Sequence, residues 1–312
     1  MRNIVTPAVV DLPGVREGTV ATVGTFDGVH RGHRDLLARL VARAADRRLP
    51  SLVVTFEPHP LEVVNPPAAP LLLTPGVERI EALAETGVDY VIILPFTPAL
   101  AALGAREFIE QLLIARYRMR ELLVGHDHGL GRGREGGVGL LRALGAEHAF
   151  PVAVVDAVAL DGKPISSSAI RRAVSYGDLD EAAHMLGLPY SFRGRVGRGQ
   201  QRGRELGYPT LNVDLLSPRK LLPPVGVYAV SVQSSRGQFG GMMNLGPRPT
   251  FTESAVSLEV HLFDATGDWY GTDVRVTFVR RLRDTIRFAS PEALVVQLGR
   301  DAEAARRALT QV

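Results

Sequence analysis

The chain has no cysteine. Disulfides, thiolate nucleophiles and cysteine-ligated zinc are therefore excluded. Aromatic residues are scarce, 6% of 312 positions, and Trp269 is the only tryptophan. Such a composition gives little support to a surface that stacks nucleic-acid bases on interleaved aromatics. Charge of one sign is lacking too: 36 Lys and Arg against 33 Asp and Glu leave a net +3, an excess that suits a nucleotide as well as a polynucleotide. No apolar run approaches the ~18 residues of a membrane-spanning helix. The opening MRNIVTPAVVDLPG has no basic stretch followed by an apolar run, as a secretory leader would. A cytoplasmic globular protein without membrane contact is the simplest expectation, and the length suffices for two domains.

What is present changes texture along the chain. The first half alternates strand and helix signals: TVATVG (19–24), a helix over 33–48, SLVVTF (51–56), a helix over 76–87, YVIILPF (90–96), a helix over 105–117, ELLVG (121–125), a helix over 138–148 and PVAVVDAV (151–158). Strands separated by helices of this length predict a parallel, doubly wound, Rossmann-like α/β sheet with ligands at the carboxyl ends of its strands. After about residue 185, short alternating strands at 226–233, 239–246, 256–263 and 273–282 are joined by turn residues, and SPEALVVQLGRDAEAARRAL (290–309) is a terminal helix. Ser290 is its expected N-cap, and Leu294, Val295, Leu298 and Leu309 its apolar stripe. This pattern predicts a small antiparallel barrel with a C-terminal helix. The expected domains are 1–184 and 185–312.

Between the first strand and its helix lies GTFDGVHRGH (24–33). Gly24, Gly28 and Gly32 allow a tight turn and close approach of backbone to a ligand, and a helix N-terminus offers free amides to phosphate. His30 and His33 add imidazoles at the same place. Three readings are open: a metal site, for which the loop adds only Asp27 as a further ligand; a structural histidine pair; or charge stabilisation on a transferring phosphoryl or nucleotidyl group. The last uses all the features together. Further on, PISSSAIRRAVSYGDLDEAAHMLG (164–187) offers serines before a helix, which alone would read as a plain N-cap, and an arginine that can neutralise phosphate.

GTFDGVHRGH, VTFEPHP (54–60) and ISSSAIR together resemble the FAD synthetase branch of the H-x-G-H nucleotidyltransferases. The resemblance implies that His30 and His33 contact nucleotide phosphates, that Ser167, Ser168 and Arg171 hold the triphosphate from the other side, and that Gly24, Phe26, Asp27, Gly125 and Asp127 line the same site. VGHDHGLGRGREGG (124–137) departs from the branch's pattern V-G-x-D-F-x-F-G-x-x-R-x-G-D. His128 and Leu130 replace two aromatics, and Gly137 replaces the final acid. Ring packing around adenine or flavin is expected to weaken accordingly.

The second half contains FRGRVGRGQQRGRELGYPTLN (192–212), in which five arginines alternate with glycines. Out of context it reads as a basic nucleic-acid arm. It runs, however, into Pro209-Thr210-Leu211-Asn212 and is followed by GVYAV, GMMNLGPRPTF and SLEVHLF, a series that resembles bacterial riboflavin kinase. The resemblance makes Thr210 and Asn212 ligands of a Mg²⁺ that bridges ATP phosphates, a role their oxygen atoms suit. Glu259 becomes the base for the ribityl 5′-hydroxyl, although alternation alone also allows it simply to face solvent. The five arginines (Arg193, Arg195, Arg198, Arg202 and Arg204), with Gly203 and Gly207, would lie in a loop between the first barrel strand and Pro209 that folds over the triphosphate. Asn244 is a candidate for the flavin side, or a turn residue.

The implied protein is a bifunctional riboflavin kinase/FAD synthetase. Its substrates and products are riboflavin, FMN, FAD and ATP, with Mg²⁺ as cofactor and no nucleic-acid partner. Two alternatives remain: a riboflavin kinase with a weakened adenylyltransferase site, and a nucleic-acid binder acting through the arginine loop. Homo-oligomerisation is left open.

Overall fold

The computed structural model describes residues 3–5, 15, 17–198, 207–247 and 256–311. The chain forms two compact units, Met1–Ser167 and Ser168–Val312.

In the first unit six strands form one sheet: β1 (Asn3–Val5), β2 (Thr19–Val23), β3 (Ser51–Glu57), β4 (Tyr90–Pro95), β5 (Met119–Gly125) and β6 (Val152–Val155). Their order is β1-β4-β3-β2-β5-β6, and every pairing is parallel. The expected α/β sheet is therefore present. Successive strand residues face opposite sides, and both sides are covered. Ala21, Leu52, Val54, Ile92, Leu122 and Val124 pack with Phe108, Ile109, Leu113, Leu141 and Leu144 on one side. Val20, Val53, Val91 and Leu123 pack with Leu36, Leu37, Leu40 and Ala44 of α1 (Arg31–Arg47) on the other. Two-sided burial explains why these strands are apolar throughout rather than alternating. After β2 the chain winds out to β3 and β4, then returns to β5 on the opposite side of β2. The carboxyl ends of β2 and β5 thus form the switch point, where such sheets bind ligands.

Two elements differ from expectation. The helix expected over 105–117 is a short turn at Ala105–Glu107 running into a π-helical segment, Phe108–Ile114. Its wider turn narrows the arc on which Phe108, Ile109 and Leu113 lie, so that all three reach the core. The last strand ends at Val155. A hairpin of Ala159–Leu160 with Lys163–Pro164 follows, turning at Asp161-Gly162, both with positive φ. An Asp-Gly pair suits such a tight turn, because both residues tolerate positive φ.

The second unit begins with α7 (Ser168 onward of the helix Ser167–Tyr176) and α8 (Leu179–Leu186). Six antiparallel strands then close a barrel in the order β10-β13-β12-β11-β14-β9. They are β9 (Ser191–Gly197), β10 (Leu211–Leu215), β11 (Gly226–Ser234), β12 (Gly237–Pro247), β13 (Val256–Leu262) and β14 (Asp273–Arg283). Phe192, Tyr228, Met243, Val260 and Phe278 fill the interior. The terminal helix α9 (Pro291–Leu309) is capped by Ser290, whose hydroxyl accepts from Ala293 N at 3.3 Å. It covers Ala229, Met242 and Phe263 on the barrel's outer face through Leu298, Ala302, Ala305, Ala308 and Leu309. Val295, expected in that stripe, is exposed. The buried Asp301 of α9 accepts two bonds from Arg283 Nε, at 2.9 and 3.0 Å, and one from Nη2 at 2.6 Å. This forked ion pair fixes the helix's register on β14.

Candidate functional sites

The loop after β2 is held in a conformation that L-residues avoid. Phe26 (φ 48°) and Val29 (φ 39°) both lie in the left-handed region, at a cost of about 1–3 kcal/mol each. The surroundings impose it. Asp27, 1% exposed, accepts from Leu73 N at 3.0 Å and Thr74 N at 2.9 Å, while Gly28 N donates to Thr74 Oγ1 at 2.7 Å. Ser167 Oγ donates to the Asp27 carbonyl at 2.8 Å. Thr25 O accepts from Thr55 Oγ1 and from Arg79 Nη1, each at 3.2 Å. The Phe26 ring folds back over Gly24, where a Cβ would stand 3.1 Å from it.

His30 caps α1: its Nδ1 accepts from His33 N at 3.3 Å. The two imidazoles stack at 3.7 Å with 17° between their planes, and Phe26 meets His33 edge-on at 5.1 Å. Gly32 is close beneath, since a Cβ there would lie 3.2 Å from the His30 ring. Enclosure by protein, and secondarily the proximity of His30, push the His33 pKa well below its ordinary value. His33 Nδ1 is buried and has no hydrogen-bond partner among the described residues. His30, His33, Gly24, Phe26 and the first amides of α1 are thus gathered at one helix N-terminus. Asp27 is beneath them, with its carboxylate engaged by the 73–74 backbone.

Beside this loop, in the strand adjacent to β2, β5 leads to Gly125 and the exposed Asp127, whose carbonyl accepts from Arg134 Nη2 at 2.8 Å. The three departures in this segment take distinct physical forms. Leu130 is 5% exposed and packs within the sheet's core. It therefore fills core volume rather than a ring platform, which corrects the expectation that its loss of aromatic surface weakens ligand packing. His128 is half-buried, and its Nε2 has no hydrogen-bond partner among the described residues. Burial first, and Arg134 second, lower its pKa to about 4. Gly137 is the N-cap of α6 (Val138–Glu147) and offers no side-chain cap. Ser168 is exposed and Arg171 half-buried on α7.

The barrel gathers a second set. Asn212 on β10 stands directly opposite Glu259 on β13, and Glu259 directly opposite Asn244 on β12. Residues so paired share a face with Cβ atoms ~5 Å apart. That face is the outer one, because Leu258 and Val260 on either side of Glu259 are buried inside. Glu259 Oε1 accepts from the buried Ser257 Oγ at 3.0 Å. Thr210 immediately precedes β10. The segment carrying it is fixed by His261, whose Nδ1 lies 2.8 Å from Pro209 O and whose ring meets Tyr208 edge-on at 5.2 Å. Gly207 opens this segment with φ 78°.

Of the arginine stretch, Arg193 and Arg195 belong to strand β9 itself, not to the loop assumed from sequence. Arg195 pairs with Asp273 at 2.7 Å, and Arg193 stands opposite Arg275 in the ladder. Arg198 lies 6.0 Å over the Tyr270 ring. Gly203 and Arg204 lie outside the described residues. A polar recess of about 520 Å³ lined by Arg193, Gln233, Ser234 and Thr272 holds none of the candidate residues. Sequence reading missed Arg79, Ser257 and His261 as organising residues. Arg79 was detectable as a charge four residues before the buried Leu83, on the apolar face of α3 (Val77–Ala84).

A parallel sheet with an H-x-G-H loop at its switch point, followed by a closed barrel with an outward Asn–Glu–Asn row, defines a two-unit transferase acting on nucleotides. The known proteins make this particular. Residues 13–169 match the FAD synthetase family and residues 186–309 the riboflavin kinase family. The bifunctional riboflavin kinase/FMN adenylyltransferase of Escherichia coli (strain K12) is 42% identical over 292 residues, 93% of each chain. That of Pseudomonas fluorescens is 42% identical over 290 residues, 93% of this chain and 92% of its own. A solved structure described as a macrolide-efflux protein from Streptococcus pneumoniae has a TM-score of 0.86 at 32% identity, covering 97% of this chain and 98% of that one. The chain belongs to the bifunctional riboflavin kinase/FMN adenylyltransferase family. Among the described residues no helix is long and apolar enough to cross a membrane.

Proposed function

We propose that the chain makes FAD from riboflavin in two steps, with one residue set for each. In the barrel, Glu259 takes the proton of the ribityl 5′-hydroxyl as that oxygen attacks the γ-phosphorus of ATP, and FMN and ADP leave. Asn244 faces the flavin. Thr210 and Asn212 offer neutral oxygen donors beside the Glu259 carboxylate, a set that fits Mg²⁺ on the ATP phosphates. There the ion supplies neutralisation of phosphate charge. Gly207, at the start of the segment that carries Thr210, borders the same triphosphate site.

In the α/β unit the FMN phosphate attacks the α-phosphorus of a second ATP, and pyrophosphate leaves. His30, His33 and the amides of α1 stabilise the charge that develops. Gly24 and Phe26 shape the floor. Gly125 and Asp127 flank it from the adjacent loop, and Ser167, Ser168 and Arg171 hold the triphosphate. Asp27 acts by holding the loop rather than by touching ligand. Both steps draw on ATP and a flavin, which supports a cytoplasmic location and small-molecule rather than nucleic-acid partners.

The observation that carries this reading is that two candidate groups stand on different folds: His30, His33 and Phe26 packed at the N-terminus of α1, and Asn212, Glu259 and Asn244 paired across the barrel. The test is a timed incubation with riboflavin, ATP and Mg²⁺, resolved by chromatography. His30→Ala should stop FAD formation and leave FMN formation intact. Glu259→Ala should stop FMN formation while added FMN is still adenylylated. Loss of both activities in either folded variant would contradict the two-site assignment.

A further inference from the structure

Arg79 is 2% exposed, on α3, beneath the loop that carries His30 and His33. A buried cation is costly unless every contact repays it, and here the guanidinium spans two segments. Nη1 donates to Thr25 O at 3.2 Å, and Nη2 donates to Phe56 O at 2.8 Å and pairs with the Glu57 carboxylate. Its Nε is buried with no hydrogen-bond partner among the described residues. A purely structural tie between α3 and β3 would not need the bond to Thr25. That bond falls on the carbonyl directly before Phe26, the first of the two left-handed residues, whose ring bears on His33.

We propose that Arg79 is a positioning residue for adenylyl transfer, acting through the Thr25 carbonyl to hold the strained Phe26 and thereby the stacked His33 and His30. The proposal rests on the assignment of those histidines to adenylyl transfer. Lysine cannot replace it fully, because one ammonium cannot present a fork to carbonyls from two segments. The expected signature is loss of turnover rather than of ground-state binding, since the histidines act on charge that develops in the transition state.

The experiment compares Arg79→Met and Arg79→Lys with the parent, each as the full chain, measuring FMN adenylylation and riboflavin phosphorylation in the same preparation. The kinase step reports folding of the chain and serves as the internal reference. Arg79→Met should lower kcat for FAD formation at least tenfold with KM for FMN within threefold and kinase turnover within twofold. Arg79→Lys should recover part of that kcat. Unchanged FAD formation in Arg79→Met would overturn the proposal, and so would a rise in KM alone or a parallel loss of both activities in both variants. His30→Ala separates the two claims. If it still makes FAD, the site assignment has failed. If it does not, and Arg79→Met is fully active, only the role of Arg79 has failed.

Discussion

His30 and His33 stack face to face, with ring centroids 3.7 Å apart. Two imidazolium charges at that distance would repel by about 4 kcal/mol even at an effective dielectric of about 20, which disfavours the doubly cationic pair. Burial, and secondarily the nearby His30, lower the His33 pKa and so disfavour its cationic form. A neutral His33 can donate one hydrogen bond to a phosphate oxygen without losing that capacity as pH varies near neutrality.

The first prediction concerns this pair. His33 should remain neutral from pH 8 down through 6.5, the range in which an unperturbed histidine begins to titrate. Ring-proton shifts of His33 followed by NMR would therefore stay flat over that range. A midpoint near 6.5 assigned to His33 would contradict the geometry.

Ser257 should matter to the kinase step. Its hydroxyl donates to Glu259 Oε1 at 3.0 Å and restricts the rotamer of the carboxylate. Ser257→Ala removes a charge-assisted bond worth about 1 kcal/mol at a partly exposed site, or roughly fivefold in rate. Steady-state kinetics should show that loss in kcat for riboflavin phosphorylation, with FMN adenylylation unchanged.

His128 should make the first unit acid-sensitive. Its folded pKa of about 4 lies below the unfolded value near 6.5. The unfolded chain therefore binds the extra proton first. Stability from this residue is present above pH 6.5 and is lost as pH falls toward 4, by about 3 kcal/mol at most. His128→Phe has nothing to protonate. Its melting temperature relative to the parent should rise as pH is lowered from 7.5 to 5, and a constant difference would refute this.

Gly137 leaves the first turn of α6 without a cap or an acid, and a Cβ there meets nothing within 4 Å. Gly137→Asp should accept from a free amide and favour the helix dipole, adding about 0.5 kcal/mol. Thermal denaturation should show a rise of roughly 1–2 °C. On this view the acid seen at that position in the family pattern has a capping role.

Much of the fold was legible because both halves obey simple periodicities. Buried parallel strands are apolar throughout, as in SLVVTF, and barrel strands alternate, as in VSLEVHLF. The π-helical segment at Phe108–Ile114 was not legible, because it answers to where the sheet's core lies rather than to local preference. The candidate site was legible where its chemistry is contiguous: His30 with His33, Ser167 with Ser168, Thr210 with Asn212. Assignment failed where contiguity misled. Arg193 and Arg195 read as loop but pair in a strand, and Leu130 read as a lost ligand platform but packs in the core.

The sequence by itself determined the order of strands and helices, and the motifs that place this chain among bifunctional flavin-forming enzymes. These depend on neighbouring residues, where spacing translates directly into a shared face or turn. Only the tertiary structure decided which distant groups each polar residue meets. Asp27 reaches Leu73 and Thr74, Arg79 reaches Thr25 and Phe56, and Asn212 aligns with Glu259 and Asn244 across three strands. Those partners are tens of residues away along the chain, and register and packing alone bring them together. A buried charge must find whichever acceptors the folded backbone presents.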